Sequence, residues 1–245
     1  MRDNRAAMAD VAFTAPDGEH RAYLATPAGE PPWPGLVAVH ESFGLNRDMR
    51  ALSERLAGMG YLTLAGDFFG SGRRLVCLLS AFRQLRAGHG PFLEAMDAAR
   101  EWLAERDECT GRVGLIGFCL GGGFALLAAP RYDFAAASVN YGELPKDADR
   151  VLAGSCPIVG SYGGRDRTLR GRPERLERAL TANDVEHDVK VYPEAGHSFL
   201  STEPYPPVLR TLDRVVGLFQ GGPCPGPAED AWQRIDAMFS RHLRA

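Results

Sequence analysis

The sequence predicts an α/β fold, a mostly parallel sheet with helices on both faces. Short apolar runs such as Leu36-Val37-Ala38-Val39, and Val113, Leu115 and Ile116 around Gly114, lack a polar face and suit strands covered on both sides. Stretches with helical spacing alternate with these runs, the pattern of a parallel sheet built from crossovers. Polar residues gather where the runs end, at the carboxyl ends of strands where open α/β sheets place their ligands. A chain of 245 residues is commonly one domain in this class, so residues 1–245 are read as a single unit.

The hairpin comes first. Val11 to Thr14 and Arg21 to Thr26 flank the turn Pro16-Asp17-Gly18. A proline-rich loop from Pro27 to Pro34 precedes the strand Leu36–Val39, which runs into His40-Glu41-Ser42-Phe43-Gly44-Leu45-Asn46. Asn46 caps a helix from Arg47 to Met59, with Met49, Leu52, Leu56 and Met59 on one face and Gly60 as the stop. Tyr61 to Ala65 is the next strand, ending in a glycine-rich turn from Asp67 to Arg74. Helices follow at Leu75–Arg86 and from Pro91 through Leu103, and two paths stay open for residues 70–90, a cap over the site or an ordinary crossover.

The second half continues the alternation. Strands are expected at Phe134–Asn140, Cys156–Gly163 and, near the sheet edge, His187–Tyr192. Helices are expected at Pro173–Ala182, Val208–Phe219 and Ala228–Leu243, with a Gly/Pro loop at residues 221–227.

Composition narrows the function classes. Hydrophobic residues at 45% and charged residues at 24% suit a protein with a sizeable core. A net charge of −3 with scattered arginines offers no basic face for nucleic acid or anionic lipid, and no apolar run reaches the roughly 18 residues that span a bilayer. The five cysteines form no C-x-x-C pair, and the N-terminus has no apolar core of a secretion signal, so a reduced, cytoplasmic setting is expected. No His/Cys cluster has zinc-ligand spacing, so neither metal nor cofactor is expected.

Chemistry concentrates at Gly117-Phe118-Cys119-Leu120-Gly121. This is the pattern of a strand-to-helix turn so sharp that its central residue is strained, with glycines where a Cβ would clash. The turn lifts one side chain above the sheet and aims a helix N-terminus at it, which favours a thiolate. Cys119, Asp166 and His197 follow in the order nucleophile, acid, histidine, each just past a predicted strand. A histidine so placed can take and return the thiol proton, while the aspartate fixes its tautomer.

The stretches VHESFGLN, DFFGSG, GFCLGGG, GSYGGRDRT and YPEAGHSF, spread from Val37 to Phe199, resemble the dienelactone hydrolases, a branch of the α/β-hydrolase fold with a cysteine nucleophile. The resemblance implies Cys119 as nucleophile, Asp166 and His197 as the rest of the triad, and Glu41 as the glutamate that helps deprotonate the thiol when substrate binds. An ordinary thiol, with a pKa of about 8.5, is only a few per cent ionised at neutral pH, so such a switchable base keeps the resting site less reactive. The amides of Leu120 and Ser42 are the expected oxyanion hole. The resemblance also calls for a carboxylate-binding arginine four positions after the histidine, where this chain has Ser201. Arg73 and Arg74 are the substitutes, with Arg83 and Arg86 as further candidates. The partner is then a small ester or lactone. A thioester or a haloacid stays open as substrate, and so does a non-catalytic protein that binds or senses redox state through Cys119.

Overall fold

The computed structural model describes residues 6–69, 74–205 and 207–244, with the backbone alone at positions 74, 208, 209, 212 and 214. Strands β1 (Ala7–Ala15) and β2 (Gly18–Thr26) form the expected hairpin, pairing Ala7 with Thr26 and Ala15 with Gly18. Gly18, at φ 130°, closes the turn in a region that side chains avoid. Then come β3 (Trp33–Val39), α1 (Arg47–Gly58), β4 (Leu62–Gly66), α2 (Arg74–Ala87), α3 (Pro91–Ala104), β5 (Cys109–Phe118), α4 (Leu120–Ala128) and β6 (Ala137–Asn140). The chain continues through α5 (Ala148–Val151), β7 (Ile158–Gly163), α6 (Arg172–Ala182), β8 (His187–Tyr192), α7 (Pro207–Val216) and α8 (Pro225–Leu243).

The eight strands lie in the order β1-β2-β4-β3-β5-β6-β7-β8. β1, β2 and β4 pair antiparallel, and β4, β3, β5, β6, β7 and β8 run parallel. All the parallel strands therefore end at one rim of the sheet, and the loops that leave them share a neighbourhood. Helices cover both faces. A side chain at Gly35, paired with Val113, would meet Leu103 of α3, whereas one at Gly114, the next residue along β5, would meet Leu243 and Phe239 of α8. On the α3 face Phe92 stacks on Phe124 of α4 with ring centroids 3.9 Å apart. On the other, α1 meets α8 where Arg55 donates to Glu229 at 2.7 Å.

Caps and turns place the boundaries. Asn46 Oδ1 accepts the Met49 amide at 2.9 Å, and Gly60 at φ 94° follows the end of α1. Helix α7 stops at Val216, short of the expected Phe219. Gly217 turns at φ 60°, and the Asp213 carboxylate accepts the amides of Phe219 (2.8 Å), Gln220 (3.2 Å) and Gly221 (3.1 Å). Those three donors bend the chain back towards the sheet rim. Helix α8 starts three residues earlier than expected because Pro225 and Pro227 sit in its first turn, where a missing N–H is harmless. Strand β6 starts at Ala137 rather than Phe134, and α5 is too short to leave a periodic signal. Among the described residues, no helix is long and apolar enough to cross a membrane.

Candidate active site

Cys119 joins β5 to α4 at φ 53°, ψ −111°, a conformation a non-glycine residue holds only when its surroundings impose it. The flanking glycines are that imposition. A Cβ on Gly117 would collide with the Gly121 carbonyl, and one on Gly121 with the Val39 carbonyl of β3. The Cys119 amide donates to Asn140 O at 3.0 Å, and Asn140 Nδ2 returns a bond to Gly117 O at 3.2 Å, which ties the turn to β6. Leu120 opens α4 immediately after the thiol, so its amide is among the unpaired donors of a helix N-terminus.

His197 arrives on the loop after β8. Its own amide donates to Phe219 O at 3.0 Å and its carbonyl accepts the Gly222 amide at 2.9 Å, so the loop is clamped by the segment that Asp213 bends back. The ring's Nδ1 lies 2.5 Å from Asp166 Oδ2. Asp166, just past β7, is oriented through its other oxygen, which accepts the Thr168 amide at 2.9 Å and the Thr168 hydroxyl at 2.5 Å. A carboxylate only accepts, so Nδ1 carries a proton and Nε2 is the nitrogen that faces away from Asp166. Nε2 is buried and meets no partner at hydrogen-bond geometry among the described residues. The Cys119 sulfur is nevertheless close enough to raise the ring's pKa through its charge and through a hydrogen bond looser than ordinary geometry. Burial pulls the imidazole pKa down, but the charge on Cys119 and the bond to Asp166 outweigh it and leave His197 well above the ordinary histidine range.

Glu41 follows β3 and is buried beside them. Its carbonyl accepts His40 Nδ1 at 2.7 Å, while His40 Nε2 accepts the Phe68 amide at 3.2 Å, so His40 is a neutral strut for the backbone at Glu41. The Glu41 carboxyl accepts the Ser198 hydroxyl at 2.8 Å, and Ser198 Oγ accepts from Tyr205 at 3.2 Å. Burial raises the Glu41 pKa above the usual carboxylate value, more than His197 and the Ser198 bond lower it. Tyr141, at φ 43° after β6, packs its ring 5.1 Å from that of His197. Its buried hydroxyl makes no bond of ordinary geometry among the described residues, although it lies near enough to Glu41 to lower that group's pKa. Burial, then the Glu41 charge, holds the Tyr141 phenol well above its own usual value.

The sheet rim thus gathers Cys119, Asp166, His197 and Glu41 from four strand ends more than a hundred residues apart in sequence at the extremes. A cavity of about 420 Å³ opens over them, lined by Glu41, Ser42, Cys119 and His197 among others. Helix α2 rests against α4, with Leu85 beside Gly123, and sends Leu78 into the lining, so that segment covers the site from one side. Arg73 and the Arg74 side chain lie outside the described residues. Arg83 and Arg86 are exposed on α2 and do not line the cavity, and Ser201 is buried. Among the described residues, no cluster of three His, Cys, Asp or Glu side chains could hold a metal. The sequence reading missed the Ser198–Tyr205 link and the His40 strut. Ser198 was detectable as the hydroxyl next to His197, but nothing local marks Tyr205.

A sheet of this order, with a strained cysteine turn after its central strand, is an α/β-hydrolase. The Pyrobaculum calidifontis esterase shares that fold at a TM-score of 0.67, with 97% of this chain and 86% of that one covered at 14% identity. The chain belongs to the dienelactone hydrolase family, whose model matches residues 20–243, and it is a hydrolase. A protein of Methylorubrum extorquens named "Putative carboxymethylenebutenolidase" is 28% identical over 95% of this chain and 80% of its own length. A Klebsiella pneumoniae crystal structure described as "Putative Dienelactone Hydrolase" is 27% identical, with a TM-score of 0.74 over 96% of this chain and 99% of that one.

Proposed function

We propose that the protein hydrolyses a small carboxylic ester or lactone through a Cys119-His197-Asp166 triad, with Glu41 as an auxiliary base. The observation that carries the reading is the state of the His197 ring: Nδ1 held by Asp166, and Nε2 buried, with the Cys119 sulfur as the neighbour that raises the ring's pKa. The Cys119 sulfur attacks the carbonyl carbon, and the carbonyl electron pair moves to oxygen, where the amides of Leu120 and Ser42 receive it. Collapse of that intermediate expels the alkoxide, which takes the Nε2 proton, and leaves an acyl thioester. Water then attacks the thioester, gives its proton to the now neutral Nε2, and the acid departs as the thiolate re-forms.

Glu41 is the reserve proton acceptor for a thiol that has become protonated between turnovers. Residues 1–245 act as one hydrolase domain in this reading. The cysteines among the described residues are free, which suits a cytoplasmic setting that keeps a nucleophilic thiol reduced. The test is turnover of an activated ester such as 4-nitrophenyl acetate. Cys119→Ala and His197→Ala should each lower kcat/KM at least about 10³-fold with the circular dichroism spectrum unchanged. Activity within tenfold of wild type in either folded variant excludes the triad.

A further inference from the structure

Beyond the reacting groups, the cavity wall is carbon. Phe43 after β3, Leu78 on α2, Val216 at the end of α7, and Leu218 and Phe219 just beyond it supply most of it. No lysine or arginine lines the cavity among the described residues, and the ionisable lining apart from Cys119, His197 and Tyr205 consists of two carboxylates, Glu41 and Asp213. Asp213 stays ionised: burial raises its pKa, but the amides of Gly221, Phe219, Gln220 and Leu218 outweigh that and hold it below the usual range. An anion entering here would lose its hydration, and the cationic group in the described lining, the His197 ring, is already paired with Asp166 and faces the charge on Cys119.

The two segments that send Leu78 and Val216 into the cavity wall also leave apolar side chains exposed. On α2, Leu75, Leu79 and Phe82 fall at i, i+4 and i+7, one stripe beside Leu78, and they are 69%, 59% and 41% exposed. Val215 and Val216 at the end of α7 are 81% and 52% exposed. Large apolar side chains left in water are otherwise rare in this chain, Met8 and Val191 being the exceptions among the described residues outside these two segments. Their concentration on the two segments that help wall the cavity fits an apolar ligand that passes between them.

We propose that the substrate is an uncharged ester or lactone carrying an apolar chain, which runs from Cys119 out between α2 and the end of α7, and that a carboxylate on that chain is rejected. The proposal rests on the hydrolase reading of Cys119 and names the substrate class of that site. Each methylene that leaves water for the wall should improve kcat/KM about fourfold until the cavity is filled.

The experiment compares 4-nitrophenyl acetate, butyrate, hexanoate and octanoate, and then mono-4-nitrophenyl glutarate against its methyl ester, on wild type, Cys119→Ala and Leu218→Lys. Wild-type kcat/KM should rise at least tenfold from acetate to hexanoate. The free acid should be at least tenfold worse than its methyl ester, with the gap carried by KM. Leu218→Lys, which puts a cation into the wall, should narrow that gap at least threefold. A flat chain-length series, a carboxylate ester handled as well as its methyl ester, or an unmoved gap in Leu218→Lys overturns the proposal. If wild type is no faster than Cys119→Ala on every ester, the hydrolase reading itself falls, a result distinct from turnover without selectivity.

Discussion

The Ser198 hydroxyl donates to Glu41 Oε1 across 2.8 Å and joins residues 157 positions apart in the chain. Because Ser198 directly follows His197, the loop that presents the imidazole also fixes the buried carboxyl opposite it. Tyr205 in turn donates to Ser198 Oγ, which directs the serine proton at Glu41. Ser198→Ala removes the donor that lowers the Glu41 pKa, so the carboxyl becomes harder to ionise. Hydrogen bonds to charged groups are worth about 1.5–3 kcal/mol, so kcat/KM should fall about tenfold at pH 6 and less at pH 8. Tyr205→Phe should move the acid limb the same way by a smaller amount. A pH profile of ester turnover for the two variants reads both shifts.

Glu41 should also tax stability. Its folded pKa lies above the 4.5 of an ordinary glutamate, chiefly because of burial, so above that pH the native state holds on to a proton that the unfolded chain has released. Stability attributable to this group is therefore greatest at acid pH and falls as pH rises through the window between the two values. Glu41→Gln keeps an acceptor for Ser198 and carries no charge. Its melting temperature should exceed wild type at pH 7, and the difference should vanish below about pH 4.5. Thermal melts at pH 4, 5.5 and 7 test the sign, while the ester assay should show the variant slower.

Asp166 is oriented by Thr168 through one oxygen and meets His197 with the other. Asp166→Asn can keep the Thr168 bonds through its carbonyl oxygen, but its amide then faces Nδ1 as a donor. The ring must respond by carrying its proton on Nε2, the wrong tautomer for accepting one. The bond that helps hold the imidazole pKa high is lost as well. Turnover should fall about 10³- to 10⁴-fold in kcat with little change in KM and an unchanged fold. A loss carried by KM instead would assign Asp166 to binding rather than to His197.

Most of this site was legible because the chain marks strand ends twice, once by the apolar run that stops and once by the glycines that follow. Cys119 lies between Gly117 and Gly121, and Asp166 follows Gly163-Gly164, so backbone crowding and polar chemistry coincide in sequence. His187–Tyr192 was readable by its alternation, which the structure follows from His187 to Lys190 before Val191 is left exposed and Tyr192 buried. The stretch around α7 was not. The spacing from Val208 to Phe219 is helical throughout, and only the capture of three downstream amides by Asp213 ends the helix early. That turn delivers Leu218 and Phe219 to the cavity, a consequence of side-chain geometry that periodicity does not encode. Tyr205 was hidden likewise, since its partner Ser198 is defined by the fold of its own loop.

Gly121 carries the last expectation. It sits in the first turn of α4, where its backbone passes against β3 so closely that an added Cβ would strike the Val39 carbonyl oxygen. The obstacle is backbone in the middle of the sheet, flanked by the β3–β5 ladder at Val39 and Gly117, so it cannot rotate aside as a side chain would. Relief requires α4 to move away from the sheet, which drags Leu120 and the Cys119 turn with it. Gly121→Ala should therefore cost about 3 kcal/mol of stability, at the upper end for overpacking by a single carbon. Whatever fraction still folds should turn over ester at least about tenfold more slowly, because a displaced helix N-terminus misplaces the Leu120 amide. Chemical denaturation with a parallel active-site titration separates the two effects. A variant as stable and as active as wild type would mean that α4 is not held against β3 at this point.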